Sequence, residues 1–199
     1  MRIEHMQKLP RDQLMPLEHY AKVRNDFRAK VMAHKKNRQV PIGPNATLYF
    51  EDRLTMLYQV QEMLRVERVF EIAGIEEELS AYNPLIPDGS NLKATFMIEF
   101  AEVEERHKAL ARMVGIEDKV WVQVTGHAKS WAIADEDMER ATAAKTSSVH
   151  FLRFELTPAM MAAVKTGAAI GMGIDHPAYT HALQPLPEVT RTALALDLG

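Results

Sequence analysis

Residues 53–70 carry phenol, carboxylate and guanidinium groups at helical spacing, so these groups could act together. The predicted helix is amphipathic, and Tyr58, Gln61, Glu62 and Arg65 lie on its polar side within reach of one another. A carboxylate held beside a guanidinium keeps its charge and can orient a substrate amine or a water molecule. The same side chains could instead form a structural network that joins two elements or two subunits, which is the more common outcome.

Glu67 departs from the pattern of this predicted helix. At about 100° per residue it falls between Val60 and Met63 on the apolar side. A carboxylate there must find a partner, become protonated or line a cavity. Arg24 and Arg28 of the preceding helix are available partners, as is a strand histidine considered below. A buried ion pair is the more common solution, and an acid at a functional site is the alternative.

A histidine that follows a predicted strand is the second candidate for chemistry. His176 lies between Asp175 and Pro177, and Tyr179 adds a phenol close by. The proline restricts His176 to an extended backbone, which fixes the direction of its ring. His176 and Glu67 are therefore the candidate metal ligands, and iron, manganese or zinc would suit a nitrogen and an oxygen donor. A rigid turn that is hydrogen-bonded to itself is the alternative.

The other histidines and a glycine-rich stretch give weaker signals. His150 shares the strand alternation of Leu152 and Phe154, so it is predicted to face the core as a hydrogen-bonded residue. The histidines do not form the His-Glu-x-x-His pattern of a zinc protease, and residues 167–173 lack the lysine of a P-loop. Neither a zinc protease nor a nucleotide loop is predicted.

Composition narrows the class of protein. The 199 residues carry 24 basic and 27 acidic side chains, and this net charge of −3 argues against a general nucleic-acid binder. Lys35, Lys36 and Arg38 form a local basic run, although basic residues there also complement the end of a helix. The absence of cysteine excludes disulfides, thiolate nucleophiles and iron–sulfur ligation. With no apolar signal sequence and no apolar run long enough for a bilayer, a cytoplasmic protein is expected.

Hydrophobic periodicity predicts the elements that hold these groups. The pattern is helical over residues 13–82 and strand-like over much of 92–199, which favours one α+β domain over residues 1–199. The strands follow one another too closely for βαβ units, so a mostly antiparallel sheet covered by helices is predicted, with a long N-terminal helix. The predicted helices are 13–36, 53–70, 75–82, 102–114, 158–165 and 187–198, and the predicted strands are 46–50, 92–100, 120–124, 130–133, 149–156 and 168–174.

Several sequence blocks are similar to those of a known bacterial family. The central ones are Gln-Glu-Met-Leu-Arg at residues 61–65 and Asp-His-Pro-Ala-Tyr at residues 175–179. Further blocks at 17–28, 78–87 and 151–154 extend the similarity over nearly the whole chain. The chain thus resembles the uncharacterised family named domain of unknown function 3501.

The resemblance implies a single-domain cytoplasmic protein with no assigned activity, whose neighbours include rubrerythrin-like and iron–sulfur redox proteins. Since the chain has no cysteine, it cannot hold such a cluster itself. The leading hypothesis is a non-enzymatic accessory or ligand-binding protein, a homo-oligomer that works beside a redox system. The sequence specifies no cofactor, and neither a membrane nor nucleic acid is an expected partner. The alternative is a metal- or cofactor-dependent enzyme whose carboxylate–histidine pocket comprises Tyr58, Gln61, Glu62, Arg65, Glu67, Asp175, His176 and Tyr179.

Overall fold

The computed structural model describes residues 7–142 and 144–199 and shows the predicted α+β fold with a long N-terminal helix. The strands pair in antiparallel fashion as predicted, but they form two sheets rather than one. The helices of this part of the chain are α1 (Leu17–Lys36), α2 (Arg53–Glu67), α3 (Ile72–Tyr82), α4 (Val103–Arg112), α5 (Pro158–Lys165) and α6 (Glu188–Ala195). The strands are β1 (Gln39–Ile42), β2 (Ala46–Phe50), β3 (Asn91–Ile98), β4 (Val120–Val124), β5 (Lys129–Trp131), β6 (Ile133–Ala134), β7 (Val149–Glu155), β8 (Ile170–His176) and β9 (Tyr179–Leu183). Within the described residues, no helix combines the length and the apolar character that crossing a membrane requires.

The main hydrophobic core contains side chains from both sheets. One sheet has the strand order β1-β2-β3-β7-β6 and the other β5-β4-β8-β9. Alternation along β3 turns Leu92, Ala94 and Phe96 to the same face, where all three are buried. They belong to one apolar cluster with Val122 of β4 and Ile174 of β8. Removal of these faces from water therefore holds the two sheets together.

The first three helices contribute to a second, smaller core. It contains Met56 and Val60 of α2 and Leu79 of α3, all of them buried. At the start of α2, the Asp52 carboxylate accepts a hydrogen bond from the Thr55 amide, and the Thr55 hydroxyl accepts one from the Asp52 amide, each at 2.9 Å. This capping box satisfies backbone donors at the helix start. It also defines the start of α2, the helix that carries Tyr58, Gln61 and Glu62.

Arg38 links the end of α1 to β2 and α6. It is 2 % exposed, and its guanidinium donates to the carbonyl oxygens of Phe50, Glu51 and Ala193 and to the Asp197 carboxylate. These acceptors compensate a charge that would otherwise be costly to bury. Arg38 therefore does not belong to a basic surface run, and the predicted local basic patch is correspondingly smaller.

The predicted boundaries are most accurate where the side-chain pattern is regular, and β2, β4 and α5 have the predicted limits. β1 is not predicted from the sequence, because Pro41 indicates a break. Pro41 lies in an edge strand, where a missing amide donor is tolerated. β8 is not the final strand, since a two-residue turn leads into β9. α2 ends at Glu67, three residues earlier than predicted, where Arg68 adopts a left-handed backbone.

Candidate functional site

The predicted pocket residues fall into two groups, and the first joins α1 to α2. The Glu62 carboxylate accepts hydrogen bonds from the Tyr20 hydroxyl at 2.6 Å and from Arg24 Nε and Nη2 at 2.8 and 2.7 Å. Arg65 Nη2 adds a longer contact at 3.2 Å. These donors, Arg24 first, lower the pKa of Glu62 to about 2. The carboxylate is saturated with donors, which favours a structural network over a catalytic role.

Gln61 and Tyr58 also make their contacts among the helices. The buried Gln61 side chain accepts a hydrogen bond from the Met15 amide at 2.6 Å and donates one to the Met15 carbonyl at 3.3 Å. The Tyr58 ring centroid lies 6.1 Å from that of Phe27 in α1. Both residues therefore hold α1, and the segment that precedes it, against α2.

Glu67 is exposed rather than buried. It is the last residue of α2, and the chain leaves the helix through Arg68 at a φ of 55°. The side chain therefore lies at a helix terminus, whereas Val60 and Leu64 of the same helix enter the core. The prediction that Glu67 points into the apolar side is wrong, because the helix ends before that side is covered at this position.

The second group of predicted residues stabilises the β8–β9 hairpin. His176 is buried, and its Nδ1 accepts a hydrogen bond from the Ala178 amide at 3.1 Å. Its Nε2 lies 3.2 Å from the Val114 carbonyl oxygen, to which it donates in the Nε2–H tautomer. The Tyr179 hydroxyl donates to the Ile42 carbonyl at 2.8 Å. This geometry agrees with the alternative of a self-bonded turn, which here is also tied to β1.

Asp175 lies in the same hairpin, and its carboxylate is occupied by two donors. The Asp175 carboxylate accepts from Trp121 Nε1 at 2.8 Å and from Lys129 Nζ at 2.6 Å, and the lysine bond lowers its pKa. In residues 7–142 and 144–199, no three His, Asp or Glu side chains are grouped as metal ligands. The predicted ligands Glu67 and His176 thus belong to no such group, and both ring nitrogens of His176 already have partners.

A different carboxylate–histidine group lies where β6 and β7 pair. The imidazole of His150 is fully buried, with Nδ1 2.6 Å from Asp135 Oδ2 and Nε2 2.9 Å from the Thr146 hydroxyl oxygen. Thr146 in turn donates to Glu117 Oε2 at 3.0 Å. The Ser147 carbonyl oxygen lies 3.1 Å from the same Nε2. The carboxylate at Nδ1, with the hydroxyl and carbonyl oxygens at Nε2, holds the imidazole in one orientation.

Asp135 holds this network with a left-handed backbone, at a φ of 48°. Few residues other than glycine adopt this conformation, and aspartate is among those that tolerate it best. Its Oδ1 accepts from the Phe151 amide at 2.9 Å and from Arg140 Nη1 at 3.2 Å. Unusual backbone conformations that are held by many contacts cluster at functional sites. Asp135 thereby connects the buried His150 to the guanidinium of Arg140.

A polar cavity of about 550 Å³ adjoins this network and is called the basic cavity below. Arg140 is already paired with Asp135 and Asp137. Among the described residues, no carboxylate lies at ion-pair distance from Arg106 or Lys145, so the cavity carries excess positive charge. The full lining is Arg106, His107, Leu110, Arg140, Thr142, Lys145, Thr146, Ser147 and Ser148.

Sequence reasoning finds only part of this site. The prediction that His150 is a buried, hydrogen-bonded residue is confirmed. Its partner Asp135 lies 15 residues earlier, in a stretch with no regular periodicity. The hydroxyl-rich run at 146–148 beside Lys145 is the local signal that could have indicated a polar site. The contribution of Arg106 from α4 is visible only in the fold.

Comparison with known proteins gives a family and a fold without an activity. The family model described as Protein of unknown function (DUF3501) matches residues 8–198. A crystal structure of a novel protein of unknown function from Burkholderia pseudomallei K96243 is 52% identical in sequence, with a TM-score of 0.92. The match covers 97% of this chain and 100% of that chain. The search of curated proteins finds no match.

Proposed function

The chain belongs to the family Protein of unknown function (DUF3501), and we propose that it is a ligand-binding protein that holds a small phosphate-like oxyanion in the basic cavity. The observation that carries this proposal is the convergence of uncompensated cations and hydroxyl donors on one cavity of about 550 Å³. The ligand-binding class is the one expected from the sequence, but the proposed site differs from the predicted Glu67–His176 pair.

The positive charge of the basic cavity comes from two separate segments of the chain. Arg106 belongs to α4, and Lys145 belongs to the loop before β7. A guanidinium presents a planar fork that matches two oxygens of a phosphate, whereas an ammonium acts as a compact point charge. An oxyanion in the cavity would therefore receive charge-assisted hydrogen bonds from more than one direction.

Hydroxyl groups complete the donor set. Thr142, Ser147 and Ser148 line the same cavity. The Thr142 hydroxyl donates to the Lys145 carbonyl at 3.1 Å, so the two serines are the hydroxyl donors available to a ligand. A hydroxyl can donate to an oxyanion without adding charge, and it can rotate to suit the oxygen that it meets. No aspartate or glutamate is among the lining residues in the described part of the chain. This lining favours an anion over a cation or a neutral ligand.

The buried network positions the cavity wall. Thr146 is 1 % exposed and donates its hydroxyl proton to Glu117, so its hydroxyl is directed away from a ligand. Its bond to His150 fixes the start of the hydroxyl-rich run, and Asp135 orients Arg140 at the other side of the network. Donors that are already held in place bind a ligand with a smaller loss of side-chain entropy.

Calorimetric titration of the full chain with inorganic phosphate tests the proposal. We expect saturable binding that weakens about tenfold or more in Arg106→Gln, because a hydrogen bond to a charged group is worth about 1.5–3 kcal/mol. Arg112→Gln is the matched control, since Arg112 is exposed on the same helix but does not line the cavity. Equal affinity in the two variants, or no saturable binding by the wild type, would contradict the proposal.

An enzymatic role is the second candidate, because Thr146, His150 and Asp135 occur in the order of a nucleophile, a base and an orienting acid. The separations of 2.9 Å and 2.6 Å fit that arrangement. The burial of Thr146 and its donation to Glu117 argue against it. Hydrolysis of p-nitrophenyl phosphate by the wild type is the test of this role. Activity that is lost in Thr146→Val but kept in Arg112→Gln would show that the protein is an enzyme rather than a binding protein.

Self-association and a redox partner stay predictions from the family resemblance. Native mass spectrometry of the purified chain measures the number of subunits and any retained metal. Retention of a rubrerythrin-like or iron–sulfur protein on the immobilised chain tests the predicted partnership. A monomer that retains neither protein would contradict both predictions and leave the oxyanion proposal unaffected.

A further inference from the structure

A second cavity lies between the helical layer and the five-stranded sheet. Two adjoining spaces of about 330 Å³ and about 460 Å³ share Leu85 and Phe151 in their walls. Together they are called the layer cleft. The lining residues that the argument uses are Met56, Tyr82, Leu85, Lys93, Met97 and Phe151. Glu136 and Asp137 also line the smaller space, but each of these carboxylates is already paired with an arginine.

The layer cleft exists because the helical core and the sheet core are packed separately. Along β3, the buried residues alternate with Lys93, Thr95 and Met97, which are only partly buried and face the cleft. Two of these three side chains are polar, so this face of the sheet does not form a continuous hydrophobic interface with the helices. Crevices between separately packed parts of a protein are common ligand sites.

The middle of the layer cleft is apolar and aromatic. Phe151 and Leu85 line both spaces, while Met97, Met56 and Tyr82 line the larger one. Aromatic side chains favour contact with another ring, and methionine adapts its shape to the molecule that it meets. This lining suits a ligand with a flat, apolar body.

Lys93 brings an uncompensated charge to the smaller space. Its Nζ donates to the Pro84 carbonyl at 2.6 Å, and within the described residues no carboxylate lies at ion-pair distance. Its neighbour across the β3–β7 pair is Arg153, which is bound by Glu136 at 2.7 and 2.8 Å and also by Glu155. Burial, and then the charge of Arg153, lower the pKa of Lys93 against the opposing effect of nearby carboxylates. The ammonium thus lacks the counter-ion that Arg153 has.

We propose that the layer cleft binds a small aromatic carboxylic acid, with the ring against Phe151 and the carboxylate on the Lys93 ammonium. Both residues line the space of about 330 Å³, so one ligand can reach them together. The carboxylate supplies the missing counter-ion, and the ring covers the apolar wall. The layer cleft and the basic cavity share no lining residue, but they are neighbours, because the guanidinium carbon of Arg140 in the basic cavity lies 4.6 Å from the centroid of the Phe151 ring. Different ligands and different variants are therefore needed to test the two sites separately.

Titration of the full chain with 2-naphthoate, followed by its fluorescence and by ligand-observed NMR, tests this proposal. We expect saturable binding, and at least about tenfold weaker binding of the neutral analogue 2-naphthalenemethanol, which cannot form a charge-assisted hydrogen bond. Lys93→Met should reduce naphthoate affinity to the level of the neutral compound, and Lys93→Arg should retain most of it. Lys165→Met, at an exposed position of α5, is the matched control and should bind like the wild type.

Equal affinity of the two naphthalene compounds for the wild type would overturn the proposal, and this comparison does not depend on the folding of any variant. Undiminished naphthoate binding by folded Lys93→Met would overturn it as well. Arg106→Gln should weaken phosphate binding and leave naphthoate binding unchanged. If Arg106→Gln weakens naphthoate instead, the acid occupies the basic cavity and the proposed cleft site is wrong.

Discussion

Two charged networks in this molecule have similar chemistry and different surroundings. In the first, Glu62 receives hydrogen bonds from Tyr20, Arg24 and Arg65 between α1 and α2. In the second, Asp135 receives them from the fully buried His150, and from Arg140, beside the basic cavity. Each network is centred on a carboxylate that has several donors. The composition of a network therefore does not indicate whether it belongs to a site.

The difference lies in burial and in where the surplus charge is directed. Around Glu62, two guanidiniums share one carboxylate, but their side chains are 30% and 38% exposed and water screens them. Beside Asp135, the surplus charges of Arg106 and Lys145 line one concave cavity together with hydroxyl donors. A single ion can be contacted by several of these groups at once. Convergence on a cavity, rather than the number of charges, separates a binding site from a structural network.

The largest loss of stability is expected when the buried carboxylate of the Asp135 network is removed. Asp135→Ala removes the acceptor of His150, Phe151 and Arg140 and places alanine at a φ of 48°. Loss of one partner of a buried charge pair costs about 3–5 kcal/mol, so urea unfolding should show a loss of that size. Asp135→Asn tolerates the left-handed backbone and keeps an oxygen for the Phe151 amide, so it should lose clearly less. A loss in Asp135→Ala no larger than that of Glu62→Gln would remove the distinction between the networks.

A smaller effect is expected for Glu62→Gln. The substitution keeps the shape of the side chain and removes the charge that Arg24 and Arg65 share. Because these guanidiniums are partly exposed, we expect a loss of about 1 kcal/mol in the free energy of unfolding. The same urea titration measures it. A loss of about 3 kcal/mol or more would show that this network is as strongly desolvated as the one around Asp135.

Glu62 should also leave a signature in the pH dependence of stability. Its pKa is about 2 in the folded protein against an ordinary value of 4.5, so the unfolded chain binds its proton more readily. The contribution of Glu62 is therefore fully present above about pH 4.5 and is lost as the pH falls towards 2. Glu62→Gln should show a shallower decline than the wild type across this window. Parallel unfolding free energies from pH 4.5 to 2 would show that the pKa is not depressed.

The Glu62–Arg65 contact within α2 is predictable from the sequence, whereas the shorter contacts of Glu62 with Tyr20 and Arg24 of α1, and the Asp135 network, are not. Glu62 and Arg65 are neighbours on one helix, so a helical projection brings them together before any fold is known. Asp135 and His150 are 15 residues apart, and the aspartate depends on a left-handed backbone outside any regular element. Periodicity describes which residues share a face of one element. It does not describe which loops meet at the end of a sheet.

The strands show the same division. β2 and β4 are predicted to the residue, because apolar and polar side chains alternate regularly or run continuously through a buried strand. β1 contains Pro41, and β9 follows a turn that contains Pro177, so both are obscured by a residue that usually indicates a break. Pairing with β2 and β8 overrides that local signal. The single strand predicted at 130–133 is also wrong, because the chain passes there from one sheet to the other and forms two short strands, β5 and β6.

The smallest expected effect concerns Glu67, which lies five residues after Glu62 in α2. Because its side chain is exposed, Glu67→Gln should change the free energy of unfolding by less than about 0.5 kcal/mol, and zinc titration should match the wild type. Glutamate and glutamine have similar helix propensities, so Glu62→Gln and Glu67→Gln differ mainly in the surroundings of the lost charge. An equal loss of stability in the two variants would mean that Glu67 has a buried partner. The orientation predicted from the helical projection would then be correct, and the exposed position at the end of α2 would be wrong.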